Sequence, residues 1–98
     1  MEISIPVFAD ALKDGGFVLD VREESEYALG HVPGAVNIPL GQLKHRIKEL
    51  PENEHLYVIC QRGGRSLKAT EFLIEEGREA SSVAGGTAEW IVSGGAVE

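Results

Sequence analysis

The chain has 98 residues, and 16 Asp and Glu against 9 Lys and Arg give it a formal net charge of −7. Its length fits one small domain over residues 1–98, and its acidity weighs against nucleic acid or an anionic membrane as a partner. A hydrophobic content of 43% with one cysteine excludes a disordered chain and a disulfide-stapled secreted module, so a self-sufficient core in a reducing, cytoplasmic setting is expected.

The opening stretch MEISIPVFAD carries acid and proline where a signal peptide carries base and an apolar run. Ser4 is placed to cap a helix with Pro6 in its first turn. Phe8, Ala11 and Leu12 share one face of that helix, and Gly15-Gly16 stop it. FVLDV, residues 17–21, reads as a buried strand, and EESEYALG, residues 23–30, as a short helix ending at Gly30. HVPGAVNIPL turns at Pro33-Gly34 and yields a brief strand at 35–38. Leu43, Ile47 and Leu50 recur on one helical face, which predicts an amphipathic helix over 41–50 with Pro51 behind it. HLYVIC, residues 55–60, is a second apolar strand. Residues 66–76 follow as a helix with Ala69, Phe72 and Leu73 on one side and Gly77 at its C-terminal cap. EASSVAGG, residues 79–86, predicts the last strand, and TAEWIVSGG a last short helix. No run approaches the ~18 apolar residues of a membrane span. Scarce Asn, Gln, Met and Cys beside plentiful Glu and Arg lean toward a heat-adapted source.

Strands that alternate with helices and are apolar on both faces specify an α/β fold whose mainly parallel sheet is covered on both sides. Working groups gather at the C-terminal ends of such strands. Asp20, Arg22, Asn37, Cys60 and Gly85-Gly86 all fall there, and so belong to one edge of the sheet.

The chemistry concentrates in LYVICQRGGRS, residues 56–66. Gly63 and Gly64 permit a tight loop whose N–H groups face inward as an anion nest. The following helix adds its positive end, and Arg62 and Arg65 add full charges. Each of these favours thiolate, so the pKa of Cys60 is expected to fall from ~8.5 to ~7 or below. The thiolate, not the thiol, is the nucleophile. A lone cysteine in an apolar strand is otherwise a small buried hydrophobe. The adjoining Arg-Gly-Gly-Arg-Ser outweighs that reading, because an inert core residue needs no cationic loop. Cysteine phosphatases resemble one another in C-x5-R. Here four residues, Gln61 to Gly64, separate Cys60 from Arg65, which makes a smaller cup suited to one sulfur atom rather than a phosphoryl group. No residue stands out as a general acid, and no Walker phosphate loop is present.

FVLDVREESEYALGHVPGAVNIPL, followed by YVICQRGGRS and VAGGTAEW, resembles the rhodanese-like domain family from about Ile3 to Glu98. The resemblance implies a five-stranded parallel sheet flanked by helices on both faces. It also implies a sulfurtransferase of the thiosulfate type, working without cofactor or metal, whose loop cysteine carries sulfane sulfur as a persulfide. Sulfur would come from thiosulfate or another small anionic donor and pass to cyanide, a thiol or a protein partner. On that resemblance Cys60 is the catalytic sulfur acceptor. The N–H groups of Gln61, Arg62, Gly63, Gly64, Arg65 and Ser66 would hold the persulfide, and Arg62 and Arg65 would attract the donor. Two departures lie away from the loop: Arg78 follows Gly77 where the family often has an aromatic, and SGGAVE lacks the usual proline.

The remaining candidates have simpler readings. Asp20, Arg22 and Glu26 fit a structural ion-pair constellation better than direct tuning of the cysteine, although Asp20 and Arg22 stand as supporting residues of the site. His31, ahead of Val32-Pro33-Gly34, fits a turn-ordering role before a catalytic base. His45 and His55 show no metal-ligand spacing with Cys60. Trp90 fits core packing, with a place at the mouth of the site as the rival reading. Gly85-Gly86 either allows close backbone approach or forms a plain turn. Beside sulfur transfer stand two rival functions: a persulfide carrier or binding module without thiosulfate turnover, and a phosphate or arsenate enzyme, which the loop length disfavours.

Overall fold

Short apolar strands with nothing polar to offer solvent are stable only inside a sheet covered on both sides. In the computed structural model, which describes residues 1–98, β2 (Phe17–Asp20), β4 (Leu56–Ile59) and β5 (Ala80–Val83) form the middle of that sheet. β1 (Glu2–Ile3) pairs with β5 and β3 (Val36–Asn37) pairs with β2. All five strands are parallel, in the order β1-β5-β4-β2-β3. The helices are α1 (Ile5–Lys13), α2 (Glu24–Ala28), α3 (Leu43–Arg46), α4 (Gly64–Glu75) and α5 (Gly86–Val92). None is long and apolar enough to cross a membrane.

Alternation along the strands sorts the core into two halves. Leu56, Val58 and Cys60 join Leu19, Leu43, Ala69 and Leu73 beneath α3 and α4. Ile59 joins Val18, Phe8, Val83 and Trp90 beneath α1 and α5. Each fully buried Leu, Ile, Val or Phe contributes about 1.5–3 kcal/mol, so both layers hold the sheet that carries the cysteine. Trp90 is a core residue, its ring edge-on to Phe8 at 5.4 Å and its indole N–H donating to Ala96 O at 2.8 Å.

Three elements differ from the sequence expectation. The two residues of β1 are too short to show a period. The strand exists because Ser82 N donates to Met1 O at 2.7 Å and Ala84 N to Ile3 O at 2.9 Å. The helix expected over 41–50 is broken into the α3 turn, with 3₁₀ turns at Leu40–Gln42 and Ile47–Glu49 on either side. Its apolar face is nevertheless used, with Leu43 and Leu50 buried and Ile47 packed against them. Arg78 braces the segment from outside, its guanidinium donating to Pro51 O at 3.1 Å and Ile47 O at 3.2 Å. An aromatic side chain at position 78 would supply neither bond. Finally, α4 begins at Gly64, two residues ahead of the expected start.

The C-terminal edge of the sheet is closed by a backbone clasp between the α5 start and the end of β4. Thr87 donates to Cys60 O twice, from its N–H at 2.8 Å and its hydroxyl at 3.0 Å, and Ala88 N donates to Gln61 O at 3.0 Å. Gly86 sits at the contact with φ +60°, and a Cβ there would lie 2.5 Å from Cys60 O and 2.7 Å from Gln61 C and O. Of the two readings of Gly85-Gly86, close backbone approach is therefore the one realised. Gly86→Ala is expected to destabilise the fold by about 2–5 kcal/mol, from left-handed strain plus overpacking. Gly41→Ala, where nothing lies within 4 Å, should change stability by less than about 1 kcal/mol. Urea denaturation of both variants checks this, and equal midpoints would refute the clasp.

Candidate functional site

β4 delivers Cys60 to the C-terminal edge of the sheet, and the chain turns back over it. Gly63 makes the turn with φ +111°, a conformation that side chains resist. The turn aims two backbone donors at the sulfur: Gly63 N–H reaches Sγ at 3.1 Å and Ser66 N–H at 3.2 Å. Ser66 Oγ lies 3.4 Å from Sγ. No side chain caps α4; the sulfur takes that place and accepts an N–H the helix leaves open.

Cys60 is only 1% exposed, and burial in an apolar strand would ordinarily leave a thiol protonated. Burial does push the Cys60 thiol up. Hydrogen bonds from the Ser66 hydroxyl and from the N–H groups of Ser66, Gly63 and Arg62 outweigh it, and the thiol is held below its ordinary value. The sulfur is buried under polar donors rather than sealed in hydrocarbon.

The sequence expectation gave much of this effect to the two arginines, and the structure distributes it differently. Arg65 forms a bidentate pair with Glu26 at 2.7 and 2.9 Å, so its charge is largely answered. Glu26 also closes the capping box of α2 by accepting from Glu23 N–H at 3.0 Å. Arg62 is exposed and takes part in none of the ion pairs. It is the loop's unanswered cation.

Asp20 and Arg22 form the ion pair expected of them, and both are buried. Arg22 Nη2 donates to Asp20 Oδ2 at 2.8 Å, and Nε bridges both carboxylate oxygens at 3.1 Å. The remaining guanidinium valences hold Gly30 O at 2.9 Å and Gln61 Oε1 at 3.2 Å. Arg22 thus ties the loop after α2 to the first residue beyond the cysteine. Asn37 completes the edge by donating to Asp20 O and Arg22 O at 3.0 and 2.9 Å. Arg22 and Gln61 also line a cleft of about 350 Å³, whose walls include Glu26, Leu29, Ile91 and Val97.

His31 orders a turn, as expected. Its Nδ1 lies 2.9 Å from Tyr27 O, its ring stacks on Tyr27 at 3.7 Å, and its backbone exchanges two hydrogen bonds with Glu98. His45 is exposed on α3, and His55 meets Ser81 Oγ at 2.8 Å beyond the opposite end of β4. Neither joins the cysteine. Sequence reading missed Thr87 and Ser82, whose hydroxyl lies 2.8 Å from Ser66 Oγ. The available sign for Ser82 was two serines inside a central strand, Ala-Ser-Ser-Val, that is buried throughout.

A family model described as the Rhodanese-like domain matches residues 4–93 of the chain. Among curated relatives, the putative sulfur carrier protein YrkF of Bacillus subtilis is 42% identical over 74 residues, covering 74% of this chain but only 40% of that protein. The chain therefore spans less than half the length of that relative. The thiosulfate:glutathione sulfurtransferase of Homo sapiens is 33% identical over 105 residues, covering 91% of each. Among solved structures, a rhodanese-related protein from Thermoplasma volcanium superposes with a TM-score of 0.93 at 35% identity, covering 99% of this chain and 96% of that one.

The Glu26–Arg65 pair has a pH signature. Its guanidinium partner, working against partial burial, lowers the Glu26 carboxyl from an ordinary 4.5 to about 2. A lowered carboxylate contributes stability that is present above pH 4.5 and lost as pH falls toward 2. Solvent screens this partly exposed pair, so its contribution is under about 1 kcal/mol. Glu26→Gln should flatten the loss of stability across that window relative to the parent chain. Urea midpoints over an acid pH series check it, and identical slopes would remove the pair from the account of acid stability.

Proposed function

The chain belongs to the rhodanese-like domain family, and from that membership we propose that it is a sulfurtransferase whose Cys60 carries sulfane sulfur as a persulfide. The observation that carries this reading is the pair of N–H groups from Gly63 and Ser66 on Sγ. Hydrogen bonds to an anion favour it over its conjugate acid, so the loop supports a nucleophilic thiolate.

The chemistry takes two displacements. The Cys60 thiolate attacks the outer sulfur of thiosulfate; a new S–S bond forms, the old one breaks, and sulfite leaves with the bonding pair. Cyanide or a thiolate then attacks the outer sulfur of the persulfide, and Cys60 departs as thiolate. The N–H groups of Gln61, Gly64 and Arg65 donate to nothing within the fold, so they remain for the terminal sulfur, which carries the persulfide's negative charge. Arg62 draws the anionic donor, and the Asp20–Arg22 pair with Gln61 keeps the loop in register with the cleft.

The neutralised Arg65 favours a second reading. With Glu26 answering one of the two loop cations, a free inorganic dianion meets a weaker field than the sequence suggests. The domain would then be a carrier that receives sulfur from a larger donor, and YrkF, a putative sulfur carrier protein, is similar to it.

Mass spectrometry and kinetics separate these readings. Thiosulfate should add one sulfur atom to the intact chain and cyanide should remove it. Cys60→Ser should abolish the gain, and the same gain in that variant would refute the assignment. Steady-state turnover of thiosulfate on the order of 10 s⁻¹ favours the enzyme. Loading by a persulfidated donor with negligible thiosulfate turnover favours the carrier.

A further inference from the structure

The hydroxyl network behind the sulfur has a direction that follows from counting protons. Ser82 Oγ on β5 is fully buried, and its one hydrogen-bond partner is Ser66 Oγ at 2.8 Å. A hydroxyl has one proton to place, and a buried one left unplaced is costly. Ser82 therefore donates to Ser66. Thr70, buried one turn further along α4, makes no hydrogen bond from its hydroxyl, so it does not substitute. With Ser82 donating, the proton of Ser66 has two possible destinations, Gly63 O at 3.0 Å and Cys60 Sγ at 3.4 Å. While Cys60 is a thiol, its S–H donates to Ser66 Oγ and Ser66 donates to Gly63 O. Once Cys60 is ionised, Sγ becomes an acceptor only.

We infer that Ser82 is a positioning residue for the Cys60 thiolate: its donation to Ser66 Oγ leaves the Ser66 proton free to turn from Gly63 O to the ionised sulfur. The inference rests on the proposed role of Cys60 and adds a residue from the neighbouring strand, 16 positions past the loop's Ser66. Its effect is cooperative, since a hydroxyl that accepts a hydrogen bond donates more strongly. The charged groups on the elements packed around the sulfur are Arg62 in the loop, Arg65 on α4 with its partner Glu26 on α2, and the Asp20–Arg22 pair at the end of β2. β5 and α5 contribute the uncharged hydroxyls of Ser82 and Thr87. Replacing Ser82 therefore removes a hydrogen bond and leaves every one of these charges in place.

The test is a thiolate titration by ultraviolet absorbance on the full chain, with the Cys60→Ser variant subtracted. The chain has one cysteine, so the signal reports a single site. Ser82→Ala should raise the ionisation midpoint by about 0.5 pH unit, a roughly threefold lower thiolate-to-thiol ratio at a given pH. Ser82→Thr, which keeps the hydroxyl, should restore the midpoint. Urea denaturation of each variant separates folding from ionisation, because a purely structural role would lower stability without moving the midpoint. An unmoved midpoint in folded Ser82→Ala overturns the inference, as does Ser82→Thr titrating like Ser82→Ala. Should Ser82→Ala prove too unstable to titrate, folded Ser82→Val, which matches the shape of Ser82→Thr without its hydroxyl, is judged by the same criterion. A chain inert to thiosulfate and to a persulfidated donor that still shows the shift would refute sulfur transfer and support this inference.

Discussion

Two backbone N–H groups meet one sulfur atom at the end of β4, and much of the fold serves that meeting. The donors come from Gly63 and Ser66, so their direction is set by the backbone rather than by rotatable side chains. Holding them there requires a left-handed turn at Gly63, a helix that starts at once, and a neighbour close enough to fix the cysteine's own carbonyl. Thr87 supplies the last of these through two hydrogen bonds to Cys60 O. The glycine at position 86 is what lets α5 come that near.

This arrangement resolves the tension between burial and reactivity. A thiol in a hydrophobic cluster should resist ionisation, and Cys60 does pack with Val58, Leu56 and Leu73 on its strand face. Its sulfur end lies among donors instead. The desolvation penalty is met by the Ser66 hydroxyl together with backbone dipoles that need no reorganisation when charge appears. Dipoles of this kind also spare the site a dependence on full charges, which the chain largely spends on pairing: Arg22 on Asp20 and Arg65 on Glu26. Both pairs shape the loop and the cleft beside it.

Much of this was legible in the sequence because the decisive residues are punctuated by glycine. Cys60 at a strand end and Gly63-Gly64 behind it mark the loop from sequence alone, whereas Gly85-Gly86 left a clasp and a plain turn equally open until the contact at Cys60 O decided between them. The parallel sheet followed from apolar runs alternating with helical periods. The two residues of β1 carry no period, so only backbone pairing with β5 reveals that strand. The break in the 41–50 helix was invisible for a different reason: its apolar spacing survives the break, and the stabilising bonds come from Arg78, 31 residues beyond Ile47. Arginine roles were the hardest to foresee. Charge is written in the sequence, but the partner that neutralises it is not, and Glu26 lies 39 positions from Arg65.

The ionisation midpoint of Cys60, measured in the unmodified chain at low and at high salt, is the most direct measurement. If oriented amides hold the thiolate, the midpoint lies below the ~8.5 of free cysteine and scarcely moves with salt, since short hydrogen bonds in a buried site are little screened. A midpoint at or above the free value, or one that climbs steeply with ionic strength, would mean that the loop does not hold the sulfur in the way its geometry indicates.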